Sequence, residues 1–206
     1  MVVVKEIRSS IDCNQLQADL NKLVLWTRKW QMEFNVDKCK VMHVGNSDNN
    51  SSTYYMEGRE LAVASYEKDL GVWISEDMKC SKQCLYACNK ATKVLGMIKR
   101  TIRFKDTRVM LSLYKTLVRP HVEYCVSAWS PHYKKDRELI EKIQRRFTKM
   151  INNMDGKSYA ERLQCLKLWT LEERRNRQDL IEVFKMCNGI SRLKLNEFFT
   201  LADNNI

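Results

Sequence analysis

Apolar residues at Leu16, Leu20, Leu23 and Trp30 recur at helical spacing, with Val24 and Trp26 broadening the stripe, and so predict a helix with one buried face. Asp12 or Asn14 is placed to cap its start, because a short side-chain oxygen there accepts from the first free backbone amides. Farther on, Cys39, Val41 and His43 alternate with Lys40, Met42 and Val44, the period of a short strand lying against that helix. The link between them, Phe34 to Lys38, carries Asn35 and Asp37, residue types that stabilise turns. Gly45 to Ser52 is polar and rich in breakers, which predicts a loop. Tyr54 to Met56 and Leu61 to Val63 flank Glu57-Gly58-Arg59-Glu60 and read as a tight hairpin, and Leu70 to Ser75 reads as a further strand. These strands are few and short, so a sheet built from them leaves edges open.

From Met78 the period changes to helix and stays there. Cys84, Cys88, Ala91, Leu95, Ile98 and Ile102 form one continuous seam on a long helix. Asp106 is expected to cap the next helix, with Val109, Met110, Leu113 and Leu117 inside, until Pro120 kinks or ends it. His121 to Trp129 resumes the helical pattern as far as Ser130-Pro131. Asp136 is the expected cap of a helix with Leu139, Ile140, Ile143, Phe147 and Met150 inward and Lys142, Arg145, Arg146 and Lys149 outward, closed by Asn152, Asn153 and Gly156. Ser158 with Glu161, and Thr170 with Glu173, have capping-box spacing. The last helix is expected to bury Leu171, Leu180, Ile181 and Phe184 and to stop at Asn188-Gly189, with a frayed tail beyond Phe199.

Charge changes this picture most. The chain of 206 residues carries a formal net charge of +11, which speaks to partners more than to fold. Between Lys79 and Arg119 the only acid is Asp106, while Lys90, Lys93, Lys99, Arg100, Arg103, Lys105, Arg108 and Lys115 all fall there. Solvated helix faces usually interleave acids with bases, so this run points to a polyanion, and phosphate backbone contacted without base reading is the natural one. No run approaches the roughly 18 apolar residues of a membrane span, and Val2-Val3-Val4 is too short for a signal peptide. The expected site is intracellular, nucleus or cytoplasm, and the 8 cysteines are then expected to be reduced. Cys80, Cys84 and Cys88 stand one turn apart, but no further Cys or His is close enough in sequence to complete a metal site, which favours packing. His43, His121 and His132 lack partners at triad or metal spacing, there is no phosphate-cradling glycine loop, and no two Asp residues are adjacent. A lysine at a turn, Lys38, is on composition alone simply solvated.

In order, LQADLNKLVLWTRKWQMEFNVDKCKVMHVG, EKDLGVWIS, LYKTLVRPHVEYCVSAWSP and IQRRFTKMI resemble the C-terminal half of the reverse transcriptase of non-long-terminal-repeat retrotransposons, the jockey-like or chicken-repeat-like group. The likeness runs to about Asn188. It implies that FNVDKCKVM is the palm's motif D, whose lysine, thought to assist the leaving pyrophosphate, would be Lys38. It implies that DLGVWIS is motif E, the turn that steadies the primer end, falling on Leu70, Gly71 and Val72. The helices that follow resemble the thumb, which grips template and primer by the backbone, in agreement with the basic run. In the family, a Tyr- or Phe-Ala-Asp-Asp box lies just upstream of the first helix, so this chain is expected to be truncated after that box and to lack the carboxylates that hold Mg2+.

The expectation is therefore an α+β fold: a small antiparallel palm-remnant sheet with one packed helix over residues 1–75, an all-helical thumb-like domain over 76–190, and a tail over 191–206. The expected function is binding of an RNA/DNA duplex backbone, with Arg145, Arg146 and Lys149 joining the basic run, by a chain that is no enzyme on its own and holds no cofactor. The alternative is a helical protein-interaction module or a retroelement relic without a selected function.

Overall fold

The computed structural model describes residues 2–45 and 52–200, a mixed α+β chain that separates into two compact units, Met1–Lys79 and Cys80–Ile206. Most of the polar stretch expected as a loop, residues 46–51, and the end of the tail from 201 lie outside the described residues.

In the first unit, α1 spans Ser10–Lys29. Its cap is Ser9, not Asp12 or Asn14. Asp12 instead closes the start from the third helical position, its carboxylate accepting from the Ser9 backbone N–H at 2.9 Å and the Ser9 hydroxyl at 2.9 Å. Leu16, Leu20 and Val24 pack against Tyr54, Met56 and Leu61, with Phe34, Val36, Cys39 and Val41 around them. The buried stripe continues to Thr27 rather than to the tryptophans. Trp26 and Trp30 are about half exposed or more, at 51% and 61%, because steps of four residues from Leu16 rotate the stripe away from them.

Among the described residues, three two-stranded ladders replace the expected single antiparallel sheet. β2 (Tyr55–Met56) and β3 (Arg59–Glu60) pair antiparallel across a two-residue turn in which Glu57 and Gly58 both take positive φ, 54° and 76°, as the favoured hairpin turns require. The tight turn uses Arg59 and Glu60 as strand. Ala62–Val63 (β4) is thereby released to pair in parallel with β1 (Lys40–Val41). β5 (Tyr66–Asp69), hidden in the sequence by its charges, pairs antiparallel with β6 (Val72–Ser75), so Leu70 and Gly71 are a turn and not the start of a strand. The Gln17 side chain meets Tyr55 of β2 like a neighbouring strand, donating to its carbonyl at 2.8 Å and accepting from its N–H at 2.9 Å. That satisfies one of the open strand edges.

The second unit is helical. α2 (Ser81–Thr101) buries Cys84, Ala87, Cys88, Ala91, Leu95 and Ile98, so the expected seam is present, with Ile102 at its end. Small residues along it let α2 approach α5 (Lys134–Lys149) closely. The Ser81 hydroxyl donates to the Asp136 carboxylate at 2.6 Å, and the Cys88 thiol to the Leu139 carbonyl at 3.5 Å. Asp136 therefore fastens two helices. The residue before α5 is Tyr133, which makes no side-chain cap.

Asp106 does cap α3 (Thr107–Leu113), its side chain accepting from the N–H groups of Arg108 and Val109 at 2.9 and 3.1 Å. The buried face, however, is Met110, Tyr114, Val118 and Val122, while Val109 and Leu117 stay 47% and 41% exposed. A spacing of four drifts by about 40° per step on an α-helix. The drift is absorbed by a π-type segment over Tyr114–Val118, where the Arg119 N–H reaches the carbonyl of Tyr114, and the wider turn winds less per residue. The same widening admits the Pro120 ring, so the chain continues into α4 (Arg119–Glu123) instead of ending.

α6 (Tyr159–Leu166) and α7 (Leu171–Cys187) both begin with the expected capping boxes. Ser158 and Thr170 accept from the N–H of Glu161 and Glu173 at 3.3 and 3.1 Å, and the two carboxylates accept in return at 2.7 and 2.8 Å. These hydrogen bonds hold both glutamates below the usual carboxylate range. α7 stops at Asn188-Gly189, with Gly189 at φ 65°. Its inward residues are Leu171 and Arg175, whereas Leu180 and Phe184 are 70% and 61% exposed, contrary to the pattern. Asn153, at φ 62°, reverses the chain after α5, and Gly156 is not left-handed.

Replacing Phe147, which is fully buried and stacked on Tyr114 at 4.1 Å between ring centroids, by Ala should lower stability by about 3–5 kcal/mol. Thr170→Ala should cost about 1 kcal/mol; both are read by urea denaturation. Leu70 sits at φ 43°, where a bulky side chain is strained, so Leu70→Asn should stabilise the chain by about 0.5–1 kcal/mol.

Candidate nucleic-acid interface

The basic residues expected to meet phosphate divide between two places. On α2, at about 100° per residue, Lys93 and Arg100 stand opposite the Cys84–Ile98 seam with Lys90 beside them, while Lys99 falls on the other flank. The run read as one-sided in sequence is therefore split by the helix. Arg103 and Lys105 lie in the link to α3, Arg108 on α3 and Lys115 on the π-type turn. All are exposed except Lys105, which is half-buried. None makes an ion pair among the described residues; the pairs of this unit use Arg119, Lys134, Arg137, Arg174 and Lys185.

The second place is a cleft of about 490 Å3 between the outer face of α5 and the start of α6. Lys142, Arg145, Arg146 and Lys149 line it from α5, and Asp155, Lys157, Ser158, Tyr159 and Arg162 line it from the other wall. Six cations thus face one carboxylate. Arg145 and Arg162 both pack on the Tyr159 ring, at 5.0 and 5.7 Å from its centroid, and a cation over an aromatic face is attracted by the ring quadrupole. Arg162 is only 3% exposed. Its Nε donates to the Thr148 hydroxyl at 3.0 Å and one terminal nitrogen to the Lys157 carbonyl at 3.0 Å, while the other terminal nitrogen, Nη2, makes no hydrogen bond among the described residues.

Tyr159 is held from behind. Its hydroxyl donates to Glu141 and accepts from the Gln144 side chain at 3.0 Å. The second Glu141 oxygen accepts from the Leu171 N–H at 3.0 Å. Gln144, with no exposed surface, also donates to the Trp169 carbonyl at 2.9 Å and accepts from the Tyr114 hydroxyl at 2.7 Å. Burial, reinforced by the hydrogen bond to Glu141, raises the Tyr159 phenol above its ordinary range, and burial with the nearby Glu123 charge does the same to Tyr114.

Of the residues singled out in sequence, the cleft brings together Arg145, Arg146 and Lys149. Lys38 is exposed on a short turn of 3-10 helix, Val36–Lys38, in the first unit. In the same unit, Leu70 is 85% exposed, Gly71 has φ 92°, and Val72 is buried. Lys157, Tyr159 and Arg162 were missed. Arg162 occupies a helical position in register with Tyr159, Leu163 and Leu166, and Gln144 one in register with Ile140, Ile143 and Phe147. A charged or amide residue inside an apolar stripe was the available signal. Burial pushes the Cys84 and Cys88 thiols up to about 12 and about 11, which suits packing residues. The described residues contain no group of three or more His, Cys, Asp or Glu side chains that fits a metal ion. No helix among them is long and apolar enough to cross a membrane.

No protein-family model, curated protein or solved structure matches the chain.

Gln144→Leu should cost about 2–3 kcal/mol by leaving buried partners unpaired, with far-UV circular dichroism unchanged below the transition. Both network tyrosines have raised folded-state values, so above the ordinary phenol range, near pH 10, the unfolded chain loses protons that the native chain keeps. Stability should fall as pH rises from there; urea midpoints that stay flat between pH 9.5 and 11.5 would contradict the buried network.

Proposed function

We propose that this chain grips nucleic-acid duplex, an RNA/DNA hybrid first of all, by its sugar-phosphate backbone, in the manner of a reverse-transcriptase-like thumb, and that it does not polymerise by itself. The observation that carries this reading is the α5–α6 cleft, where six cations meet a single carboxylate on a wall held rigid by a buried polar network. Such a surface repels itself until an anion neutralises it, and each phosphate bound releases counterions. The resemblance of the ordered sequence motifs to the C-terminal half of the polymerase supplies the kind of duplex. The exposed Leu70 at the tip of a strained hairpin turn supports a contact role for Leu70 and Gly71, whereas Val72, expected with them, is buried. An intracellular setting, nucleus or cytoplasm, belongs to the same reading. The competing reading, a protein-interaction module, draws its support from Leu180 and Phe184, exposed on the second half of α7.

The test is fluorescence anisotropy with a labelled RNA/DNA hybrid between 50 and 200 mM salt. With about six phosphates neutralised, affinity should drop about 10³-fold over that range. Gln at Arg145, Arg146 and Lys149 together should reduce the slope by about three without changing helicity. Absent or salt-insensitive binding by the wild-type chain would sink the proposal, and extension of a primed template with Mg2+ and nucleotides would overturn its second half.

A further inference from the structure

The cleft carries more positive charge than a single backbone phosphate needs. A phosphodiester brings one negative charge, whereas the cleft sets Lys142, Arg145, Arg146, Lys149, Lys157 and Arg162 against Asp155 alone. The neighbouring acids are spent elsewhere: Glu161 caps the Ser158 backbone at 2.7 Å, and Glu141 is taken by Tyr159 and the Leu171 N–H.

Arg162 makes this more than a patch of surface lysines. Almost wholly buried, it is fixed through Thr148 and the Lys157 carbonyl, and the Thr148 hydroxyl in turn donates to the Arg145 carbonyl at 3.1 Å. Arg162 is therefore aligned by hydrogen bonds before any ligand arrives, and Arg145 is placed beside it by its contact with the Tyr159 ring. Arg162 lines the cleft, its Nη2 makes no hydrogen bond among the described residues, and a planar guanidinium held in this way binds phosphate oxygens with directed, charge-assisted hydrogen bonds. Little side-chain entropy remains to be lost on binding.

We propose that the α5–α6 cleft is a seat for two or more adjacent phosphate groups, with Arg162 as its buried anchor and Arg145 as the second directed donor. This deepens the duplex-binding reading and rests on it for the source of the phosphates, which are consecutive groups of one strand. A free polyphosphate chain shares the chemistry and serves as the probe.

The experiment titrates the full chain with inorganic phosphate and with tripolyphosphate at fixed ionic strength, followed by calorimetry and by the arginine side-chain resonances, and then competes tripolyphosphate against the labelled hybrid. Tripolyphosphate should bind at least about tenfold more tightly than inorganic phosphate, perturb the Arg162 and Arg145 resonances, and displace the hybrid. Arg162→Lys, which keeps the charge but loses the fork, should weaken tripolyphosphate at least about tenfold. Arg145→Gln gives the same readout at the rim should the buried variant unfold, and Lys134→Gln, the loss of an exposed cation outside the cleft, should change affinity less than about twofold. Equal affinity for the two anions, or equal losses in Arg145→Gln and Lys134→Gln, would overturn the seat. If the hybrid binds with steep salt dependence but tripolyphosphate neither displaces it nor moves Arg162, the seat fails and the duplex reading stands. If tripolyphosphate binds through Arg162 but no hybrid binds at 50 mM salt, the duplex reading fails, and with it the strand as the source of the phosphates.

Discussion

Gln144 lies in the middle of α5 with no surface in contact with solvent, and a primary amide in such a place is tolerable only if its oxygen and its N–H groups find partners. Three are supplied: Tyr114 from the π-type turn, Tyr159 from the start of α6, and the Trp169 carbonyl just before α7. One side chain therefore sets where four pieces of the helical unit stand. The interactions around it repeat the same economy, since Glu141 joins Tyr159 to the first amide of α7. A half-satisfied network of this kind is worse than an apolar core, and a complete one selects a single packing.

The basic cleft is the outer side of that network. Tyr159 has its hydroxyl in the core and its ring under two guanidinium groups, so the position of Arg145 and Arg162 is inherited from the interior rather than chosen at the surface. This separates the cleft from the α2 lysines, which stand on flexible stems around a helix that turns them to different sides. Equal charge in the two places does not mean equal preorganisation, and preorganisation is what spares a binding site the cost of ordering.

Much of the fold was legible where local chemistry is decisive. The capping boxes at Ser158 and Thr170, the Asp106 cap, the small-residue seam of α2 and the Gly189 exit all follow from short-range hydrogen bonding and period. The misreadings share one cause, which is that tertiary partners reassigned residues whose local signals were ambiguous. Asp136 looks like a cap but serves a neighbouring helix, whereas Asp12 is a local exception that closes the box capped by Ser9. Trp26, Trp30, Leu180 and Phe184 are apolar yet exposed, because the buried stripes run beside them. Of the site, the outward cations of α5 were visible as a helical face. Lys157 and Arg162 were not, since nothing local says that a second wall will fold against that face.

The π-type segment over Tyr114–Val118 sets the rotational phase of everything that follows it. A residue repeat of four and a helix of 3.6 residues per turn lose step with each other, and the wide turn restores it once, at the place where Pro120 needs room. Removing one residue there would let the helix close into ordinary turns, and the spacing from Met110 to Val122 would become four, three and four, which keeps Val122 on the buried side of the axis. The wide turn is therefore the local cost of one residue beyond the ordinary helical repeat, taken up within Tyr114–Val118 and not passed on to the register of the helices that follow.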